Sequence, residues 1–427
     1  MILLQRYSCC VFILSVFMQT PLFASALTIS DIQFEGNDVT QDQVMRQELT
    51  IRVGDPLNEE AINTSRQSLM DMGLFKSVDA TTDDSGVVVF KVAEKHFILL
   101  IPRISYDSDR DKIKPGIRLT INNLAGLNQR LKITYIQSDA EDANHGSQNE
   151  VGLEFDYPKI LGSAYNLSAA IKYLNSPLQY LQAGVPVSEY KKNDLGFSFI
   201  VSRWVYKTGP SSGWASGAGL RFDSHDYKYL SGVPGVFAND HAVSVLANIS
   251  YTNIHDYLYS RKGKEFGYSI EQGARWLGSQ YEFNRHQFYY RHYMHLGRIH
   301  HNLNVQARIG FSDGHNSNLA EDTYSINGYG DLRAYVDEVS GDAFFLLNVE
   351  YLRPILGRNH IRSLIFVDVG DTYLNNSDVT FSHLKWAAGL GIRWKLKSFV
   401  DLDLSMEYAH NMETDENKFY FKTKGAF

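Results

Sequence analysis

Beyond Cys10 the 427-residue chain contains no cysteine. A disulfide framework, a thiolate nucleophile and a cysteine metal site are therefore excluded for everything that follows that position. After the first two dozen residues there is also no apolar run approaching the roughly 18 residues that a membrane helix needs; the longest is the short stretch from Phe97 to Ile101. Nor is there a basic stripe. The net charge of −7 is mild and spread along the chain, so nucleic acid is not expected as a partner.

What is present begins with MILLQRYSCCVFILSVFMQTPLFASA, in which Arg6 precedes an apolar run from Cys9 to Met18 and a small-residue site at Ala24, Ser25 and Ala26. This pattern predicts a secretory signal over residues 1–26, cleaved after Ala26, and both cysteines leave with it. An exported chain without a membrane helix is either soluble or a β-barrel.

The C-terminal forty residues decide between these. Trp386, Ala388, Leu390, Ile392, Trp394 and Leu396 alternate with Lys385, Arg393 and Lys395. Val400, Leu402, Leu404, Met406 and Tyr408 alternate with Asp401, Asp403, Ser405 and Glu407. Phe419, Phe421, Thr423 and Phe427 alternate with Tyr420, Lys422 and Lys424. Period-two alternation gives a strand two faces in two solvents. A soluble sheet with one face on a core shows the same alternation, but strands of about ten residues, apolar outside and charged inside, fit a transmembrane β-barrel. The 26 Tyr and 24 Phe suit interfacial girdles, and a mean hydropathy of −0.26 is compatible, since half of each strand faces water.

Residues 27–95 read as a small α+β domain in the order strand, helix, helix, strand, strand. The first strand holds Ile29, Ile32 and Phe34 and ends at Gly36 and Asn37. Thr40 and Gln43 have capping-box spacing for a helix carrying Val44 and Leu49. Asn58 is placed to cap a second helix with Ile62, Leu69 and Met70, and Gly73 to end it. Residues 96–427 read as about sixteen strands of an antiparallel barrel; counting alone leaves fourteen or eighteen open, with an even number favoured by closure.

The longest unusual connection, from about Asp313 to Gly341, contains Gly328, Tyr329, Gly330, Asp331, Leu332, Arg333, Ala334 and Tyr335. GYGDLRAY resembles the Arg-Gly-aromatic motif at the tip of the sixth extracellular loop of the BamA/TamA-type outer-membrane assembly family, the bacterial surface antigens. GDAFFLLNVEYLRPI and LIFVDVGDTY resemble the two strands after that loop. Asn123, Leu124, Ala125, Gly126 and Leu131 resemble the family's early hairpin. The N-terminal domain, with Gly36, Gly54, Gly73, Phe75, Val92 and Glu94, resembles a single POTRA module. The resemblance implies a bacterial outer-membrane barrel with its N-terminal domain in the periplasm. It also implies a loop folded into the lumen, where Arg333, with Gly330 and Tyr335 beside it, pairs with Glu350 and Asp368. By alternation both carboxylates face inward. One departure is Ala334, where the family carries glycine, a residue that permits a backbone conformation or wall contact that a Cβ hinders.

Other candidates carry less. His286 and His292 share one strand face while His295 lies on the other, so they close no metal site. GPSSG at 209–213 reads as a loop and Ser340 as part of a turn, and neither offers a nucleophile elbow. No catalytic residue and no cofactor is expected. The charges of the last strands read as a mutually neutralising lumen network, with a selective pore as the alternative.

The function expected from the resemblance is non-enzymatic assistance to insertion and assembly of outer-membrane proteins. The alternatives are a secretion pore for a polypeptide or lipid, and a passive porin-like channel. A single module implies a specialised role. The implied partners are outer-membrane lipids, unfolded outer-membrane or secreted polypeptides, and periplasmic chaperones or accessory lipoproteins. The barrel seam, between the strand starting near Phe97 and the strand carrying Phe421, Gly425 and Phe427, is the expected site where an incoming strand is templated.

Overall fold

The structure, a computed structural model, describes residues 27–107, 112–138, 148–182, 185–209, 212–313, 324–326, 328–335 and 340–423. The signal-like segment 1–26, Gly425 and Phe427 lie outside the described residues.

The small domain runs β1 (Asp31–Glu35), α1 (Asp42–Arg46), α2 (Glu59–Asp71), β2 (Phe75–Thr82) and β3 (Val87–Glu94). β3 is central, parallel to β1 and antiparallel to β2. Helix α2 forms as the residue pattern dictates. Asn58 accepts from the backbone N–H groups of Glu60 and Ala61, while Ile62, Ser65, Ser68 and Leu69, spaced three and four apart, form its buried face.

Helix α1 departs from expectation. Gln41 is its N-cap, without a side-chain capping bond, so the Thr40–Gln43 capping box does not form, and Leu49 lies beyond the helix. The physical reason is a carboxylate from another element. Glu94 at the end of β3 accepts from Val39 N at 3.1 Å and from Thr40 N at 2.7 Å. The Thr40 hydroxyl donates to Glu94 and accepts from Asn123 Nδ2 at 2.8 Å, so it is engaged away from the helix start.

Among the described residues, the rest build one sixteen-stranded antiparallel sheet. Its strands are β4 (Ile98–Asp107), β5 (Lys112–Leu124), β6 (Gln129–Ser138), β7 (Gln148–Tyr157), β8 (Tyr165–Gln182), β9 (Val185–Gly209), β10 (Ser212–Gly232), β11 (Asp240–Asp256), β12 (Arg261–Gly273), β13 (Phe283–His295), β14 (Asn302–Asp313), β17 (Ala343–Ile355), β18 (Arg358–Tyr373), β19 (Lys385–Lys395), β20 (Asp403–Asn411) and β21 (Asn417–Lys422). A two-residue pair, β15 (Tyr324–Ser325) with β16 (Ser340–Gly341), sits in the connection between β14 and β17; Ser340 thus belongs to a short strand pair. Every neighbour in the large sheet is a sequence neighbour apart from that insertion. Among the described residues, β4 and β21 share no hydrogen-bonded ladder.

The two faces carry the solvents that alternation requires. Leu390 is 60% exposed and Phe419 70% exposed on the outside, whereas Arg393, Ser405 and Glu407 are buried inside. One expected strand is shorter than the pattern suggests. Asp401 adopts φ 54° and breaks it, so residues 396–402 form a turn, and Val400 packs against the core of the small domain.

The small domain is seated on one end of the barrel. Asp71 at the end of α2 accepts from Asp256 N at 3.0 Å and meets His255 Nδ1 at 2.9 Å. Lys159, in the β7–β8 turn, pairs with Glu48 at 2.6 Å. In the β5–β6 turn, Asn123 Nδ2 donates to Thr40 Oγ1 at 2.8 Å, and Gly126 lies so close that a Cβ there would stand 2.2 Å from the Val39 carbonyl. His96 N donates to Ser398 O at 2.7 Å, tying the approach to β4 to the β19–β20 turn. A cavity of about 270 Å³ remains between domain and barrel, bordered by Asp71, Lys95, Arg130, Arg261, Lys395 and Asp401.

A buried loop anchor as the candidate functional site

The connection from β14 to β17 turns back into the barrel. Leu332 N donates to Ile326 O at 2.8 Å and Gly328 N to Leu332 O at 3.1 Å, closing a compact turn. Gly328 and Gly330 take φ values of 96° and 92°, which favour glycine. Ile326, Leu332 and Tyr335 bury their side chains against Phe344, Leu346 and Ala387 of the inner wall. This apolar contact presents the next side chain, Arg333, to the wall.

Arg333 is fully buried. Its Nε donates to Asp368 Oδ2 at 2.6 Å and its Nη2 to Asp368 Oδ1 at 2.7 Å, a bidentate pair. Nη1 reaches Glu350 Oε1 at 3.1 Å and Glu407 Oε2 at 2.8 Å. The guanidinium carbon stands 3.4 Å from the Phe366 ring centroid, so the flat face left free by the hydrogen bonds lies on an aromatic ring. A second guanidinium closes the network: Arg393 donates to both oxygens of Glu350 at 3.1 Å and to Glu407 at 3.2 Å. Asn348 Nδ2 donates to Asp368 and to the Asp331 carbonyl, each at 2.8 Å, and Tyr329 OH donates to Glu407 at 3.1 Å. The loop is therefore held by charge-assisted bonds to β17, β18 and β20 at once.

The residues singled out from sequence fall into three groups. Arg333, Glu350 and Asp368 meet directly. Gly330 and Tyr335 serve the loop itself: the Gly330 carbonyl accepts from Arg308 at 3.4 Å, and the Tyr335 hydroxyl accepts from Trp386 N at 3.2 Å. Phe421 is elsewhere, exposed on the outer face of β21. Glu407, Arg393 and Phe366 are members of the anchor that sequence reasoning did not connect to Arg333. Alternation put Arg393 and Glu407 on the inner face, but only register sets them at the height of the loop.

Ala334 takes the conformation that glycine would favour, φ 66°, while completely buried. Its N–H donates to the Tyr420 hydroxyl at 3.0 Å, and it packs with Leu352, Leu364, Phe366 and Ala409. The departure from glycine is accommodated by a pocket for one methyl group.

Comparison with known proteins agrees with this architecture. The Omp85 superfamily domain matches residues 123–427, and the POTRA family, described as a surface antigen variable number repeat, matches residues 27–95. The outer membrane protein assembly factor BamA of Nitratidesulfovibrio vulgaris is 34% identical over 76 residues, 17% of this chain and 10% of that protein. The chain thus matches only about a tenth of the length of that curated relative. Among solved structures, BamA from Haemophilus ducreyi lacking POTRA domains 1–3 is similar at TM-score 0.53 and 16% identity, covering 92% of this chain and 84% of that one. CdiB from Escherichia coli is similar at TM-score 0.66 and 12% identity, with 92% and 76% covered. CdiB from Acinetobacter baumannii reaches 0.63 at 13%, with 92% and 73% covered. The chain belongs to the Omp85 superfamily: it is an outer-membrane β-barrel, with sixteen strands among the described residues, and carries a POTRA domain on its periplasmic side.

Proposed function

We propose that this protein is a non-enzymatic factor that helps insert and assemble outer-membrane β-barrel proteins. The observation that carries the reading is the seam: among the described residues β4 and β21 each pair on one side only. Unpaired strand edges at membrane depth leave backbone groups that lipid cannot satisfy, at several kcal/mol per group. Such edges gain from pairing with an incoming strand. On the periplasmic side β2 is likewise an edge strand, paired only with β3 among the described residues. An extended polypeptide can add to such an edge through backbone bonds that tolerate many side chains. The anchored loop supports this reading by tying β17, β18 and β20 together beside the seam.

Depletion of the protein in its host, followed by quantitative proteomics of outer membrane and culture supernatant, tests the reading. A fall in many barrel proteins is expected. Loss of one exported protein with barrel levels intact would overturn it in favour of a secretion pore.

A further inference from the structure

The outer row of β9 reads Leu195, Phe197, Phe199, Val201 and then Arg203, so a cation follows an apolar band on the lipid-facing side. Register confirms the face: Arg203 lies opposite Tyr165 of β8, and Tyr165 begins an outer row that continues through exposed Ile171 and Tyr173. Nη1 of Arg203 donates to the Tyr165 hydroxyl at 3.2 Å, and its guanidinium carbon is 5.3 Å from the Tyr165 ring centroid. Among the described residues no carboxylate pairs with Arg203. Its level is that of the periplasmic aromatic belt: Tyr206 is exposed opposite Trp214, whose ring lies 5.5 Å from those of Tyr251 and Phe266. Aromatic residues of this kind mark the headgroup region of a bilayer.

At headgroup level, with no carboxylate pairing it among the described residues, the Arg203 guanidinium is placed to take an anion from outside the protein. The inner leaflet supplies phosphate, which the planar guanidinium fork binds with two parallel hydrogen bonds. The Tyr165 phenol already orients the fork. The pattern recurs on β17, where exposed Arg353 follows the outer row Leu347, Val349 and Tyr351 at the same end of the barrel.

We propose that Arg203, held by Tyr165, is a binding site for the phosphate of an anionic glycerophospholipid in the periplasmic leaflet. The β7–β8 turn that leads into Tyr165 also carries Lys159, which pairs with Glu48 of the small domain. A lipid bound at Arg203 therefore steadies the membrane end of the same segment that seats the POTRA domain.

Native mass spectrometry of the full-length protein in detergent, titrated with phosphatidylglycerol, tests the proposal. Wild type is expected to retain one more phosphatidylglycerol than Arg203→Gln under matched activation, with that retained population falling about fivefold or more in the variant; equal retention overturns the site. A comparison on wild type alone keeps the test decisive should the variant fold poorly: phosphatidylglycerol must be retained over diacylglycerol of the same chain length, and equal retention of the two overturns the proposal.

Discussion

Arg333 and Asp368 form a two-bond pair, Nε to Oδ2 at 2.6 Å and Nη2 to Oδ1 at 2.7 Å, with both side chains fully removed from solvent. The pair joins a loop tip to a strand 35 residues later in the sequence. Its energetic consequence lies in its disruption, since removing one partner of a buried pair leaves an uncompensated charge.

Arg333→Ala is expected to destabilise the barrel by about 3–5 kcal/mol, because Asp368 loses its bidentate partner while Arg393 stays with Glu350 and Glu407. The temperature at which the folded form converts on a heat-modifiability gel should fall. The double variant with Asp368→Asn should recover part of the loss, since one orphaned charge is gone. Unchanged migration of the single variant would count against the anchor.

Ala334 stands at φ 66°, a region that costs a non-glycine residue roughly 1–2 kcal/mol. Ala334→Gly relieves that strain but gives up a buried methyl worth roughly 0.8 kcal/mol. A net gain of at most about 1 kcal/mol is expected. Ala334→Val should instead undock the loop, because a branched side chain is poorly tolerated at positive φ and the pocket admits one methyl. Protease access to the loop in folded protein separates the two outcomes.

Gly389 lies under the ring that supports the guanidinium. A Cβ at this position would stand 2.3 Å from Phe366 Cζ and 2.1 Å from the Tyr408 carbonyl. Gly389→Ala should therefore displace Phe366 and loosen Arg333 although it touches neither charge, at a cost of about 1–3 kcal/mol. The same gel assay reads it, and a variant as stable as wild type would show that the ring is not needed.

Docking of the POTRA domain should depend on pH through Lys95. Burial, with Lys395 nearby, pushes this lysine down to about 8 from an ordinary 10.5, while its Nζ donates to the Gly73 carbonyl at 2.7 Å. The docked state binds the proton less tightly than the free state, so docking is weakest below about pH 8 and strengthens as pH rises toward 10.5. Limited proteolysis at residues 95–97 should slow, relative to a model substrate, between pH 7.5 and roughly pH 9.5. Lys95→Met should abolish that dependence.

Much of this molecule is legible in its residues alone. Period-two alternation placed Glu350, Asp368, Arg393 and Glu407 on an inner face because successive side chains of a strand point to opposite sides. Asn58 marked the start of α2, because its side chain can take the unpaired N–H groups of a first turn. The loop motif around Arg333 was readable as a resemblance.

Tertiary structure decided what alternation leaves open. Face is a local property with a period of two, whereas height along the barrel depends on the register of every intervening strand. Only register brought Glu407 and Arg393 to the level of Arg333. Glu94 took over the entry of α1 from Thr40 because a carboxylate 54 residues away in sequence is adjacent in space. Asp401 ended a strand early, which let Val400 leave the barrel wall for the core of the small domain. The sequence alone determined which side of each strand meets lipid and which meets the lumen; the folded chain decided which buried charges meet each other.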